Sequence, residues 1–154
     1  MIKILSLANS IVNIGVCCLL SAAAVVDIRT RMIPNGIIRG LIGLWIIKAA
    51  AIGTHAPDAG ITFVGEDLLG AISIAGALLC CTLLFERITH RTELGGGDIK
   101  LIFAVSLFLG PALGLINLFL ACLGGIATSA LCHTREFPFG PAIAASSCLI
   151  LLVL

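Results

Sequence analysis

The sequence predicts an all-α, polytopic membrane protein of about six transmembrane helices, and three observations carry that expectation. Hydrophobic residues make up 60% of the 154-residue chain and charged residues only 11%, an apolar share that a water-soluble domain of this length cannot hide. The apolar residues form runs near membrane length, since about 20 helical residues cross a hydrocarbon core about 30 Å thick. Short segments between the runs hold most of the charge. In hydrocarbon every backbone N–H and C=O must be paired within the protein, so runs of this kind are helices.

The first segment covers 4–26. Lys3 in front of it gives it the look of a signal peptide, but the apolar run is too long and meets a charged motif with no cleavage site, so it is read as a retained span. The second segment covers 37–53 and the third 68–85. The stretch 99–132 is too long for one span, and Gly110-Pro111 divides it, because proline cannot continue a helix and its predecessor leaves the helical region. That gives a short fourth segment ending near Leu109 and a fifth over 112–131. A short sixth covers 140–154.

Lys and Arg set the orientation. The first, third and fifth connections carry Arg29, Arg31, Arg39, Arg87, Arg91 and Arg135. The second, from His55 to Asp67, has no cation and holds Asp58, Glu66 and Asp67, read as a solvated outer loop. The positive-inside rule then places the odd-numbered connections in the cytoplasm and both termini outside. Lys48 falls inside the second span, near enough to its outer end to snorkel.

Several function classes drop out. A net charge of +1 with no basic tract or interleaved aromatics gives no nucleic-acid signature. No His-Glu-x-x-His or Gly-x-Ser-x-Gly motif occurs. The seven cysteines form no Cys-x-x-Cys pair and fall mostly in apolar runs. They read as buried small fillers, so no metal and no cofactor is expected.

The acids sort by position. Glu86, Glu93 and Glu136 lie beside arginines in the connections and read as surface charges. Asp27 and Asp98 differ. Asp27 follows "AAAVV" at the end of the first span, and Asp98 opens the fourth in "GGGDIKL". Two spans separate them, so both reach the same membrane face. If a bundle brings them together, two carboxyls in a partly dry site cannot both ionise comfortably and come to share a proton. One can then take a proton from water while the other donates, as in an aspartic peptidase. Gly95, Gly96 and Gly97 permit unusual backbone angles, close approach of a peptide, and a hinge that keeps the acids apart until substrate arrives. Taken singly, Asp98 is also a good helix N-cap and Asp27 part of an interfacial charge cluster with Arg29 and Arg31. Composition and spacing leave those readings open.

"DIRTRMIPN" (Asp27 to Asn35) and "GGGDIKL" (Gly95 to Leu101) resemble the two signature regions of the type 4 prepilin peptidases, and the second fits the wider Gly-x-Gly-Asp pattern of intramembrane aspartyl proteases. "FPFGPAIAAS" (Phe137 to Ser146) resembles the start of the last helix in the same peptidases. The resemblance implies that Asp27 and Asp98 are a catalytic pair in a single transmembrane peptidase domain over 1–154. It gives supporting places to Gly95, Gly96, Gly97, Lys100, Arg29, Pro34, Asn35, Pro138, Gly140 and Pro141. It implies pilin-like precursors as partners, cut at the cytoplasmic face of a bacterial inner membrane. Without paired Cys-x-x-Cys motifs, the chain resembles the short, peptidase-only members. Two other classes stay in view: a small ion-coupled transporter, expected to show repeated broken helices and mid-depth acids, and an inactive scaffold that binds pilin precursors.

Overall fold

The computed structural model describes residues 2–55, 57–89, 95–132 and 139–153. They form five helices, α1 (Ile2–Thr30), α2 (Asn35–His55), α3 (Pro57–Thr89), α4 (Gly96–Cys132) and α5 (Gly140–Val153). Four are long and apolar enough to cross a membrane, and α5 is a shorter apolar helix.

The α4 helix is two helices in one. Its 37 residues would run about 55 Å if straight, nearly twice the hydrocarbon thickness. Gly110 interrupts it at φ 69° and ψ −178°, a backbone region open essentially only to glycine. Pro111 then supplies no N–H to continue the ladder. The chain folds back sharply: a Cβ placed on Gly114 would lie 3.2 Å from Ser106 Oγ, although eight residues of straight helix span about 12 Å. Counting the arms 96–109 and 111–132 separately, the described residues form six helical segments, in line with the about six expected from the sequence.

Close contacts fix how the segments run. Gly15 meets Leu44 and Gly40 meets Leu19, so α1 and α2 are antiparallel. Gly60 lies against Gly53, which makes α2 and α3 a hairpin. Gly70 abuts Pro111 and Gly114 abuts Ile74, so the second arm of α4 runs parallel to α3. Gly125 faces Phe139, and Asn117 Oδ1 accepts hydrogen bonds from Ser146 Oγ at 2.7 Å and Ser147 Oγ at 3.1 Å. The α5 helix is therefore antiparallel to the second arm, and it packs back on α1 through Asp27 and Gly140.

The first arm of α4 is the centre of the bundle. From Leu101 to Gly110 every residue except Phe103 is buried, and Leu101, Ile102, Val105 and Leu107 join Leu20 and Leu41 in the core. The outer surface stays apolar, with Ile14, Ile72, Leu83, Phe119 and Leu152 exposed. In a membrane these contact lipid tails at no hydrophobic cost.

Three expectations change. Helix α3 starts at Pro57, so Asp58, Glu66 and Asp67 belong to a helix and not to an outer loop. Asp67 is in phase with Gly70, Ala71 and Ile74 on the buried face, and is itself only 6% exposed. Cys18, Cys80, Cys81 and Cys122 are exposed on apolar helices, which makes them lipid-facing small residues and not buried fillers.

Close helix approach makes a stability prediction. A Cβ on Gly70 would sit 2.9 Å from the Pro111 backbone, whereas one on Gly76, in the same helix, meets nothing within 4 Å. Gly70→Ala is expected to cost ~1–3 kcal/mol through overpacking. Gly76→Ala should be neutral or gain up to ~1 kcal/mol from helix propensity. Thermal unfolding of the two variants in one detergent separates the effects.

Candidate active site

At the end of the bundle shared by the α1–α2 connection and the starts of α4 and α5, the quoted motifs meet. Asp27 lies in the last turn of α1, one helical turn before Arg31, whose N–H donates to the Asp27 carbonyl at 2.8 Å. Arg31 ends the helix with φ 52°, a left-handed conformation that bulky residues rarely adopt. That turn sends the chain through Met32, Ile33 and Pro34 into α2, and it brings the Arg31 charge within electrostatic reach of Asp27. Arg29, given a supporting place in the sequence reading, is exposed on the last turn of α1.

Asp27 is 5% exposed, and its Oδ2 accepts a hydrogen bond from the Gly140 N–H at 3.1 Å. Gly140 and Pro141 open α5, where the first N–H groups have no helical acceptor and the helix dipole favours a nearby negative charge. Proline in the first turn costs nothing, since its missing N–H has no partner there anyway. A Cβ on Gly140 would fall 2.5 Å from Asp27 Oδ2. Only glycine lets the helix start this close to the carboxyl group.

Asp98 is half-buried near the N-terminus of α4, and its N–H donates to the Gly95 carbonyl at 3.0 Å. Asp27 and Asp98 are close enough to act on one another electrostatically. The glycines behave differently from the sequence expectation. Gly96 and Gly97 are already helical, and Gly110 is the positive-φ glycine among the described residues. Two of the three glycines thus form part of the first turn of α4. Gly97 instead gives room: a Cβ there would touch Ile33 Cβ at 3.4 Å.

A second contact ties the motifs together. Lys100 Nζ donates to Asn35 Oδ1 at 3.5 Å, joining the start of α4 to the start of α2. Pro34 shapes that start, its carbonyl accepting from the Ile37 N–H at 3.1 Å. Pro138 and Glu93 lie outside the described residues. Two carboxyls arranged this way, with one oxygen of Asp27 occupied by a backbone donor, have the parts for general acid–base attack of water on a carbonyl.

The sequence did not point to Ile33 or Asp67 as contributors, nor to Arg31 as the residue that turns the chain. The signal for Asp67 was its spacing with Gly70, Ala71 and Ile74 at the period of a helix face. The positive φ of Arg31 has no sequence marker. Lys48 Nζ lies 5.4 Å from the centre of the Phe63 ring and 6.0 Å from that of Phe108.

The fold and this acid pair define a multi-pass helical membrane protein with two carboxyl groups brought to one end of the bundle. Residues 14–130 match the type IV leader peptidase family, and the chain belongs to that family. Two bacterial relatives carry the name prepilin leader peptidase/N-methyltransferase. That of Neisseria gonorrhoeae is 27% identical over 128 residues, covering 81% of this chain and 42% of the relative. That of Escherichia coli K12 is 28% identical over 136 residues, covering 84% and 57%. The chain thus spans about half the length of these relatives. No solved structure gives a significant match.

The two kinds of contact at the site predict unequal costs. Gly140→Ala should displace the Asp27 carboxyl and lose its buried hydrogen bond, lowering unfolding stability by ~1–3 kcal/mol. Lys100→Met breaks only an exposed 3.5 Å contact and should cost less than ~1 kcal/mol. Chemical unfolding of both variants in one detergent provides the comparison.

Proposed function

We propose that this chain is a membrane aspartic endopeptidase, one transmembrane domain over residues 1–154, that removes the leader peptide of type IV pilin-like precursors. The observation that carries the reading is the meeting of Asp27 and Asp98. They come from separate motifs and reach one end of the bundle within electrostatic reach of each other. Family membership supports the peptidase class, and the name of the relatives supports the leader-peptide substrate.

In this mechanism one carboxylate of the pair takes a proton from water, and the water oxygen attacks the scissile carbonyl. The other, protonated, carboxyl group hydrogen-bonds the carbonyl oxygen and then supplies a proton to the leaving amine. Gly140 fixes one oxygen of Asp27. Gly97 seats the start of α4 on Ile33, which holds Asp98 beside it. The mechanism draws on no metal or cofactor and no nucleic acid. Its partners are the precursor, with its leader and apolar helix, and membrane lipid.

Arg29, Arg31, Arg39, Arg87 and Lys100 cluster at the same end as the two aspartates. That supports a cytoplasmic site in a bacterial inner membrane by the positive-inside rule. Of the features expected of an ion-coupled transporter, the chain has one broken helix and one mid-depth buried acid, Asp67. Neither is repeated among the described residues. The inactive-scaffold reading differs from the peptidase in cleavage alone.

Cleavage of a pilin precursor in membranes tests this directly. Asp27→Asn and Asp98→Asn, at matched expression, are each expected to lower the rate by ~10²–10⁴-fold. The native rate should be bell-shaped in pH, its two limbs belonging to the pair and not to either acid alone. EDTA should leave it unchanged. Native-rate cutting by either variant sinks the paired-acid mechanism.

A further inference from the structure

A second polar centre lies deep in the bundle, away from Asp27 and Asp98. Asp67 Oδ2 accepts a hydrogen bond from the Trp45 indole N–H at 3.2 Å, with both residues buried. Its Oδ1 faces Gly110: a Cβ there would sit 3.3 Å away. Lys48, lodged between the rings of Phe63 and Phe108, is within electrostatic reach of the same carboxylate. Trp45 stands ten residues into α2 and Gly110 fourteen into α4, or about 15–21 Å from the end that carries the acid pair. That is mid-depth for a core about 30 Å thick.

An isolated carboxylate at mid-depth is costly, so one that persists has partners and a task. Here the partners converge on the break in α4. Pro111 opens the second arm, whose first N–H groups have no helical acceptors and whose dipole favours an anion in front of it. Asp67 occupies that place. Trp45 fixes its direction, and Lys48 balances its charge. The reversal at Gly110 in turn determines how the first arm lies, because that arm is the enclosed central helix with one end at the break and the other at Asp98.

We infer that Asp67 is a positioning residue: it holds the Gly110 reversal against α2 and α3 and so keeps the start of the first arm seated on Ile33, with Asp98 facing Asp27. The inference rests on the proposed peptidase reading for its consequence in catalysis, though not for its geometry.

The geometry has its own test. The Gly97 Cβ position is 3.4 Å from Ile33 Cβ, close to the ~3.5–4.5 Å separation of a disulfide. In membranes, an Ile33→Cys/Gly97→Cys chain should therefore cross-link on mild oxidation, scored by mass spectrometry of the joined peptides. Adding Asp67→Leu is expected to lower that yield several-fold. In the native background it should lower kcat for precursor cleavage by ~10-fold or more with KM little changed. Asp67→Asn keeps a carbonyl for Trp45 and should restore most of both. Trp45→Phe keeps the ring without the N–H and should show an intermediate loss, and it decides the matter if the leucine variant does not accumulate. Glu66→Gln, on the exposed neighbour, should change neither.

An unchanged cross-link in Asp67→Leu, or in Trp45→Phe where the leucine variant is lost, overturns the inference whatever the activity. A cross-link that falls while the native chain cuts no precursor supports the positioning and removes the peptidase reading instead.

Discussion

A peptide group in hydrocarbon has no water to bond, and the rest of this structure follows from that constraint. It makes every described segment helical and makes each break in a helix a place where polar groups must be found partners. The chain meets the requirement at two such places with the same device. Asp27 stands before the first turn of α5, and Asp67 stands before the first turn of the second arm of α4. In both, an aspartate from one helix approaches the start of another where a glycine without a Cβ leaves room. Each buried acid also has a hydrogen-bond donor, the Gly140 N–H for Asp27 and the Trp45 indole for Asp67.

The two places divide the labour. The deeper one is closed: Trp45 and the Gly110 backbone flank Asp67, and Lys48 supplies the opposite charge. The shallower one is left open in part, with Asp98 half-buried beside Asp27 and exposed cations around it. In the proposed reaction, a peptide arriving from the surface meets only the second. Between them runs the first arm of α4, about 21 Å of helix that is largely buried from Leu101 onward, short enough for the same rigid element to join both.

Much of this was legible in the sequence because its signals were local. Run lengths gave the segments, Gly110-Pro111 gave the break, and the placement of Asp27 and Asp98 after an odd and before an even segment put them on one face. What was hidden depended on tertiary neighbours. Three acids in a cation-free stretch look like a loop until α3 is seen to start at Pro57 and to carry Asp67 on its inner face. The contact of Lys48 with the Phe63 and Phe108 rings depends on α3 and α4 and has no local sequence signal. Three glycines in a row suggest a hinge, but two of them serve as the compact first turn of a packed helix. No feature of "RTRM" marks Arg31 as the residue that turns the chain with positive φ.

The bond from Gly140 to Asp27 joins residues 113 positions apart, α1 to α5. A ribosome feeding this chain into a membrane delivers Asp27 first and Asp98 later, but the backbone donor that orients Asp27 arrives only with α5. Until then the acid pair lacks one wall and one hydrogen bond. The surroundings of the pair are therefore complete only once α5 is in place, and a nascent chain carries both acids before that.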